Sequence, residues 1–242
     1  MRVLITAASS RLSRELSAAL SRDNDVLLTD RSEVPTDQRF VSCDLGHDRA
    51  TNDLVRGMDA IVHSIESVPG ASAATRLDVA MRCTYNLLTA ARSAGVGRFV
   101  NLSTLRLLDD YPENLTVTEN WRPTPGVEPV ILSAHLCEFV CREFGREGGI
   151  KIANLRLGFP IVEGDTSAAA SSGETAALAG DDLATAINAA LIADLGARSQ
   201  STDAPQSVSF RTIHVQSPIP NGRFLLKRAA SILGLWEGQG AA

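Results

Sequence analysis

Residues 2–13 read RVLITAASSRLS, and residues 14–20 continue RELSAAL. The first stretch is a short β-branched and apolar run. From residue 11 onward the apolar positions fall at Leu12, Leu16 and Leu20, with Arg and Glu between them. A change from a continuous apolar run to a four-residue period predicts a buried strand, a tight turn and a helix folded back on the strand. The turn itself, Ala7-Ala8-Ser9-Ser10, holds only small residues. At such a turn the start of the helix offers unpaired N–H groups and a partial positive charge, which suit a phosphate.

The same alternation runs down the chain. Strands are predicted over 25–29 (DVLLT, ending at Asp30), 39–42 (RFVS, ending at Asp44), 59–63 (DAIVH), 98–103 (RFVNLS), 150–156 (IKIANLR) and 210–215. Helices are predicted over 11–22, 49–57, 74–94 (closed by Gly95), 130–146, 178–195 and 224–234 (closed by Gly234). Strands that alternate with helices and lack strict polar alternation predict an α/β domain, a doubly wound parallel sheet buried on both faces. Two stretches, 164–176 (GDTSAAASSGETA) and 197–208 (ARSQSTDAPQSV), read as loops rich in small polar residues. The division expected is a single domain over 1–242, with a core over 1–158 and a small C-terminal lobe with flexible loops over 159–242.

Bulk properties narrow the function. The formal net charge of -5 gives no global attraction to nucleic acid or anionic membranes. No apolar run is long enough to span a bilayer, and the N-terminal run enters a strand pattern rather than a signal peptide. The four cysteines, Cys43, Cys83, Cys137 and Cys141, lack disulfide or zinc spacing. Reduced thiols and a cytoplasmic location are the expectation, with no metal site.

The loop from Ala7 to Ser13, with VLIT before it and Arg14-Glu15-Leu16 after it, resembles the short-chain dehydrogenase/reductase superfamily in its extended, NAD-dependent epimerase/dehydratase branch. The resemblance implies a Rossmann-type sheet with a small C-terminal appendage. The family writes this turn G-x-x-G-x-x-G, and the glycines fall on Ala7, Ser10 and Ser13. All three are replaced by small residues. A modified nucleotide pocket and a relic loop filled by side chains and water are both open readings. If NAD binds, the resemblance implies contacts from Ala7, Ser9, Ser10, Arg11 and Leu12 in the loop. Asp30 with Arg31 would meet the adenosine ribose, where an acidic residue favours NAD over NADP. Asp44-Leu45 would meet the adenine, and His63-Ser64 would lie beside the cofactor. Glu66 stands where the family carries a small residue, and a carboxylate there would repel a pyrophosphate. The family's Asn ahead of G-T-x-N-L-L falls on Ala80, and the stretch itself reads Cys83-Thr84-Tyr85-Asn86-Leu87-Leu88.

Extended members use a Tyr as acid or base, a Lys four residues on that lowers its pKa and holds the nicotinamide ribose, and an upstream hydroxyl. The register set by Ser133 and Glu138 puts Val130 at the Tyr position and Ala134 at the Lys position; Thr104 is the remaining candidate for the hydroxyl. The only tyrosines, Tyr85 and Tyr111, are followed four residues on by Thr89 and Leu115, so no shift of register restores the pair. His63 reads as a packing histidine, and Cys137 with Cys141 as small core residues. Asp181-Asp182 reads as a helix cap, and Arg223, Lys227 and Arg228 as a solvated helix face. The functional expectation is a non-catalytic family member that binds a nucleotide, a small molecule or a protein partner. The alternative is an NAD-dependent oxidoreductase or epimerase acting on a sugar or nucleotide sugar with displaced catalytic residues. Family precedent implies a homodimer through helices 74–94 and 130–146, or a heteromer with an active relative.

Overall fold

The computed structural model describes residues 1–65, 71–196, 209–220 and 222–236. Seven parallel strands form the main sheet: β1 (Arg2–Ile5), β2 (Asp25–Asp30), β3 (Phe40–Ser42), β4 (Ala60–Ser64), β5 (Arg98–Thr104), β6 (Lys151–Leu157) and β9 (Phe210–Val215). Their spatial order is β3-β2-β1-β4-β5-β6-β9, every neighbouring pair parallel. The order reverses direction between β1 and β4, and in an open α/β sheet ligands bind at that switch point, beyond the carboxyl ends of the strands.

Helices cover both faces. One face carries α1 (Arg11–Leu20), α7 (Gly180–Ile192) and α8 (Lys227–Leu233), packed through Leu12, Leu16, Ile187 and Leu233. The other carries α2 (Arg49–Val55), α4 (Thr84–Ser93) and α5 (Pro129–Glu147), packed through Leu54, Leu87, Val140 and Phe144. Glu128 starts α5 by accepting from the amides of Val130 and Ile131, with Pro129 in the first turn, where its missing N–H costs nothing. Gly145 lets α5 approach β9, since a Cβ there would sit 2.6 Å from the Phe210 Cβ.

The predicted helix over 74–94 is interrupted. It runs as α3 (Ala73–Asp78), a π-helical turn over Val79–Cys83, and α4. The Thr84 hydroxyl bonds the Val79 carbonyl at 3.2 Å, a side-chain insertion of the kind that widens a helix. Within the stretch expected to be loop, residues 166–171 form α6 (Thr166–Ser171), because Asp165 caps an alanine-rich turn through the amides of Ser167 and Ala168. A two-strand parallel pair, β7 (Ile161–Val162) and β8 (Leu178–Ala179), precedes α7, so residues 178–179 are strand rather than helix. Asp181 and Asp182 lie in the first turn of α7 and do not cap it; Asp182 accepts from the Thr166 and Ser217 hydroxyls. The terminal helix begins only at Lys227. The expected loop over 197–208 lies outside the described residues.

Candidate nucleotide site

The loop between β1 and α1 forms without its glycines, and each replacement has a distinct local solution. Ala7 takes the left-handed backbone, φ +55°. Ser10 is in extended backbone and needs no glycine; it caps α1 by accepting from the Ser13 amide. Ser13 is fully buried, and its hydroxyl donates to the Thr6 carbonyl at 2.8 Å, tying α1 to the end of β1. Asp30 braces the loop from β2: one carboxylate oxygen accepts from the Ser9 amide at 2.8 Å, the other from the Arg31 amide at 2.7 Å. A carboxylate offers about four acceptor positions, so two remain for ribose hydroxyls. The Arg11 and Leu12 amides, at the start of α1, have no acceptor among the described residues. The Arg11 guanidinium pairs with Glu15 and Glu163 on the surface.

Beside this loop lies an open cleft. Ala7, Asp30, Arg31, Asp44, Leu45, His63 and Ser64, all expected from the sequence, line it together. Leu45 is held at φ +53°, a conformation a leucine adopts at a cost. Its carbonyl accepts from the Asn86 amide group at 3.0 Å, and the Asp44 carbonyl accepts from the Cys83 thiol at 3.4 Å. The Cys83–Asn86 segment therefore fixes the Asp44-Leu45 pair in its turn. The π turn brings Val79 and Cys83 into the wall, with Ala71 and Thr75 from the α3 side. Burial pushes the Cys83 thiol up, so it lines the wall as a neutral group. Bidentate contact with Arg82 holds the Asp78 carboxyl below its ordinary value, and Arg31 sits 3.6 Å from the same carboxylate.

His63 contributes to this wall, but its ring is spent in the core. Nδ1 shares a hydrogen bond with the Thr6 hydroxyl and Nε2 with the Thr84 hydroxyl, both at 2.9 Å. It is a packing histidine, as the sequence suggested. Cys137 and Cys141 are likewise buried core residues.

The other expected positions lie away from the cleft. Thr104 ends β5, and its hydroxyl oxygen accepts from the Arg106 amide at 3.2 Å, capping a 3-10 turn. Val130 stands half-exposed in the first turn of α5. Ala134 is buried one turn on, in an apolar cluster with Leu105, Ile131 and Phe224. The neighbouring hydroxyl, Ser103, donates to Glu138 at 2.6 Å, and Glu138 is gripped by Arg156 through bonds of 2.9 and 2.8 Å. Burial alone would raise the Glu138 carboxyl, but Arg156 and Ser103 outweigh it and hold it below its ordinary value. Burial lowers His135, whose Nδ1 is buried with no hydrogen-bond partner among the described residues. Glu66 lies outside the described residues. Among the described residues no group of histidine, cysteine and carboxylate side chains is arranged to hold a metal ion. No helix among them is long and apolar enough to cross a membrane.

Sequence reading missed several residues. Thr6, Thr29, Cys43, Ala71, Thr75, Val79 and Cys83 also line the cleft. Thr6 and Thr29 sit at or just beyond the ends of adjacent strands, the one signal that would have found them. Arg223 and Arg228 are not a solvated face: Arg223 donates to the Leu108 and Tyr111 carbonyls, and Arg228 to the Thr212 carbonyl.

A braced turn at the start of α1, an acidic residue ending β2 and an adjoining cleft at the switch point define a Rossmann-type nucleotide-binding fold. A model of the NAD dependent epimerase/dehydratase family matches residues 3–179, and the chain belongs to that family. Among solved structures, it is similar to uronate dehydrogenase from Agrobacterium tumefaciens, with 23% identity over 96% of this chain and 82% of that one and a TM-score of 0.75. A short-chain dehydrogenase/reductase superfamily protein from the same organism, with bound NAD, matches at 19% identity over 97% and 92%, TM-score 0.71. UDP-N-acetylglucosamine 4-epimerase from Bacillus cereus matches at 18% identity over 89% and 78%, TM-score 0.67. At these identities the likeness establishes the fold. No curated protein matches the chain.

Toward NAD, the residues divide by half. The adenosine side fits: Asp30 keeps free acceptors, Leu45 and Val79 offer apolar walls, and the start of α1 keeps unpaired amides. The nicotinamide side does not, because Val130 and Ala134 carry no group that binds a ribose or moves a proton.

Proposed function

We propose that this chain is a nucleotide-binding family member that does not perform the family's acid–base step. The observation that carries the reading is the contrast between an intact adenosine cleft and an apolar α5 start. A Tyr acid or base and its Lys partner are both missing, and Ala134 is packed among leucine, isoleucine and phenylalanine side chains. The chain's own residues then supply binding and orientation only. Asp30 holds the ribose hydroxyls, Asp44-Leu45 holds the adenine edge, and the Arg11 and Leu12 amides meet phosphate oxygen. NAD is favoured over NADP, since a 2′-phosphate would be set against the Asp30 carboxylate.

A second reading is an NAD-dependent oxidoreductase or epimerase acting on a sugar or nucleotide sugar with displaced catalytic groups, Thr104 among them. The comparisons support it more than the first, because the solved relatives with named activities are a dehydrogenase and an epimerase. The two readings part in one assay. The purified chain is incubated with NAD and a panel of uronates, hexoses and their nucleotide conjugates, and NADH absorbance is followed. The first reading predicts no turnover above a protein-free control. Sustained turnover by the unaltered chain, lost in Thr104→Val, supports the second and overturns the first.

A dimer through α4 and α5 belongs to the same proposal. Met81, Tyr85 and Phe139 are large apolar side chains left exposed on these two helices and on the π turn that precedes α4. A second copy of this chain or an active relative would cover them.

A further inference from the structure

We infer that the cleft recognises its ligand by the adenosine diphosphate portion alone, so that ADP and ADP-ribose bind as well as NAD. The inference rests on the proposed nucleotide reading and names the ligand class that reading leaves open.

The wall of the cleft comes from one half of the sheet. Its residues belong to the ends of β1, β2 and β4, the loop after β3, α3 and the π turn. None belongs to β5, β6 or α5, although β5 and β6 are the next strands beyond the switch point. Three polar groups on that other half are already engaged. The Ser103 hydroxyl donates to Glu138, the Glu138 carboxylate is clamped by Arg156, and the Thr104 oxygen caps the 3-10 turn. Val130 and Ala134 present methyl groups where an ammonium and a phenol would meet the second ribose. A nicotinamide riboside held by none of these would stay solvated and contribute little to affinity. Binding then draws on the adenosine contacts and the α1 amides, which ADP, ADP-ribose and NAD share.

The test is calorimetric titration of the full chain with NAD, NADH, ADP-ribose and ADP under one buffer. All four dissociation constants are expected to agree within about threefold, against the tenfold that about 1.4 kcal/mol would give. NAD binding tenfold or more tightly than ADP-ribose overturns this inference and leaves the nucleotide reading standing. Failure of all four to bind overturns the nucleotide reading itself, and this inference with it. Asp30→Asn keeps the shape of the acceptor and removes its charge. It should weaken all four ligands by a common factor; a variant that weakens ADP while sparing NAD shows that NAD is held by its other half, and refutes the inference.

Discussion

Ala7→Gly tests whether the loop is a strained copy of a glycine turn. Ala7 sits at φ +55°, where an L-residue with a Cβ costs about 1–2 kcal/mol relative to the right-handed region. Glycine removes that cost but loses about 0.5–1 kcal/mol more backbone entropy on folding. Taken at the middle of each range, the two effects leave a net gain of about 0.75 kcal/mol for the variant. In a chain of this length a kilocalorie moves the melting temperature by about 2–4 °C, so the variant should melt about 1.5–3 °C higher. Ala8 is the internal control. It is fully buried and absent from the left-handed positions, so Ala8→Gly gains nothing and loses packing. Differential scanning calorimetry reads both variants. A rise for Ala7→Gly with a fall for Ala8→Gly supports the reasoning. A melting temperature for Ala7→Gly that is unchanged or lower refutes it, because the methyl would then be packed rather than strained.

Three other outcomes are expected. Glu138→Ala strands the Arg156 guanidinium in the core, and breaking a buried pair of this kind costs about 3–5 kcal/mol, read by urea denaturation. Because the folded Glu138 carboxyl is held below its ordinary value, its contribution is complete above the unfolded value of about 4.3 and is lost as pH falls below it; the Glu138→Ala variant should lack that acid limb. His214 is fully buried with neither ring nitrogen bonded, and burial holds it well below its ordinary pKa. The unfolded chain therefore binds a proton that the folded chain refuses below about pH 6.5, and stability falls with acid by up to about 1.4 kcal/mol per pH unit. His214→Phe should flatten stability between pH 6.5 and 5, and an unchanged slope in chemical denaturation contradicts the assignment. Phe139→Glu places a charge among the exposed apolar residues of the proposed dimer face, and sedimentation should show a shift to monomer, while a monomeric parent chain would remove the proposal.

The layers of the fold were legible because the apolar run and the four-residue period change places so sharply. Val3 to Ile5 vanish from solvent, and Leu12, Leu16 and Leu20 turn inward together. Asp30 at the end of β2 and Asp44 just past β3 were legible for a similar reason: they interrupt apolar runs at the edge where a ligand must approach. The π turn was not legible, because it depends on one threonine hydroxyl bonding Val79, and periodicity reads the two turns alike. Capping by Asp165 was overlooked for lack of an apolar face on α6, which buries Ala169 alone. His63 could be read as a packing histidine, but the groups that hold its ring could not. Its partners Thr6 and Thr84 come from distant parts of the chain, and only the folded sheet brings them to one ring. The same is true of Arg223 and Arg228, whose charges look solvated until the carbonyls they cap are in place. For the site, the sequence gives residue types, and the structure adds which of them face one cleft.

The measurement that bears most directly on the central claim is saturation-transfer NMR on NAD in the presence of the full chain. The adenine protons and those of the adjoining ribose should take up saturation strongly, and the nicotinamide protons weakly. Equal saturation at both ends, or the strongest signal on the nicotinamide ring, would contradict an account in which Asp30 and Asp44-Leu45 hold the ligand while Val130 and Ala134 leave its reactive half unheld.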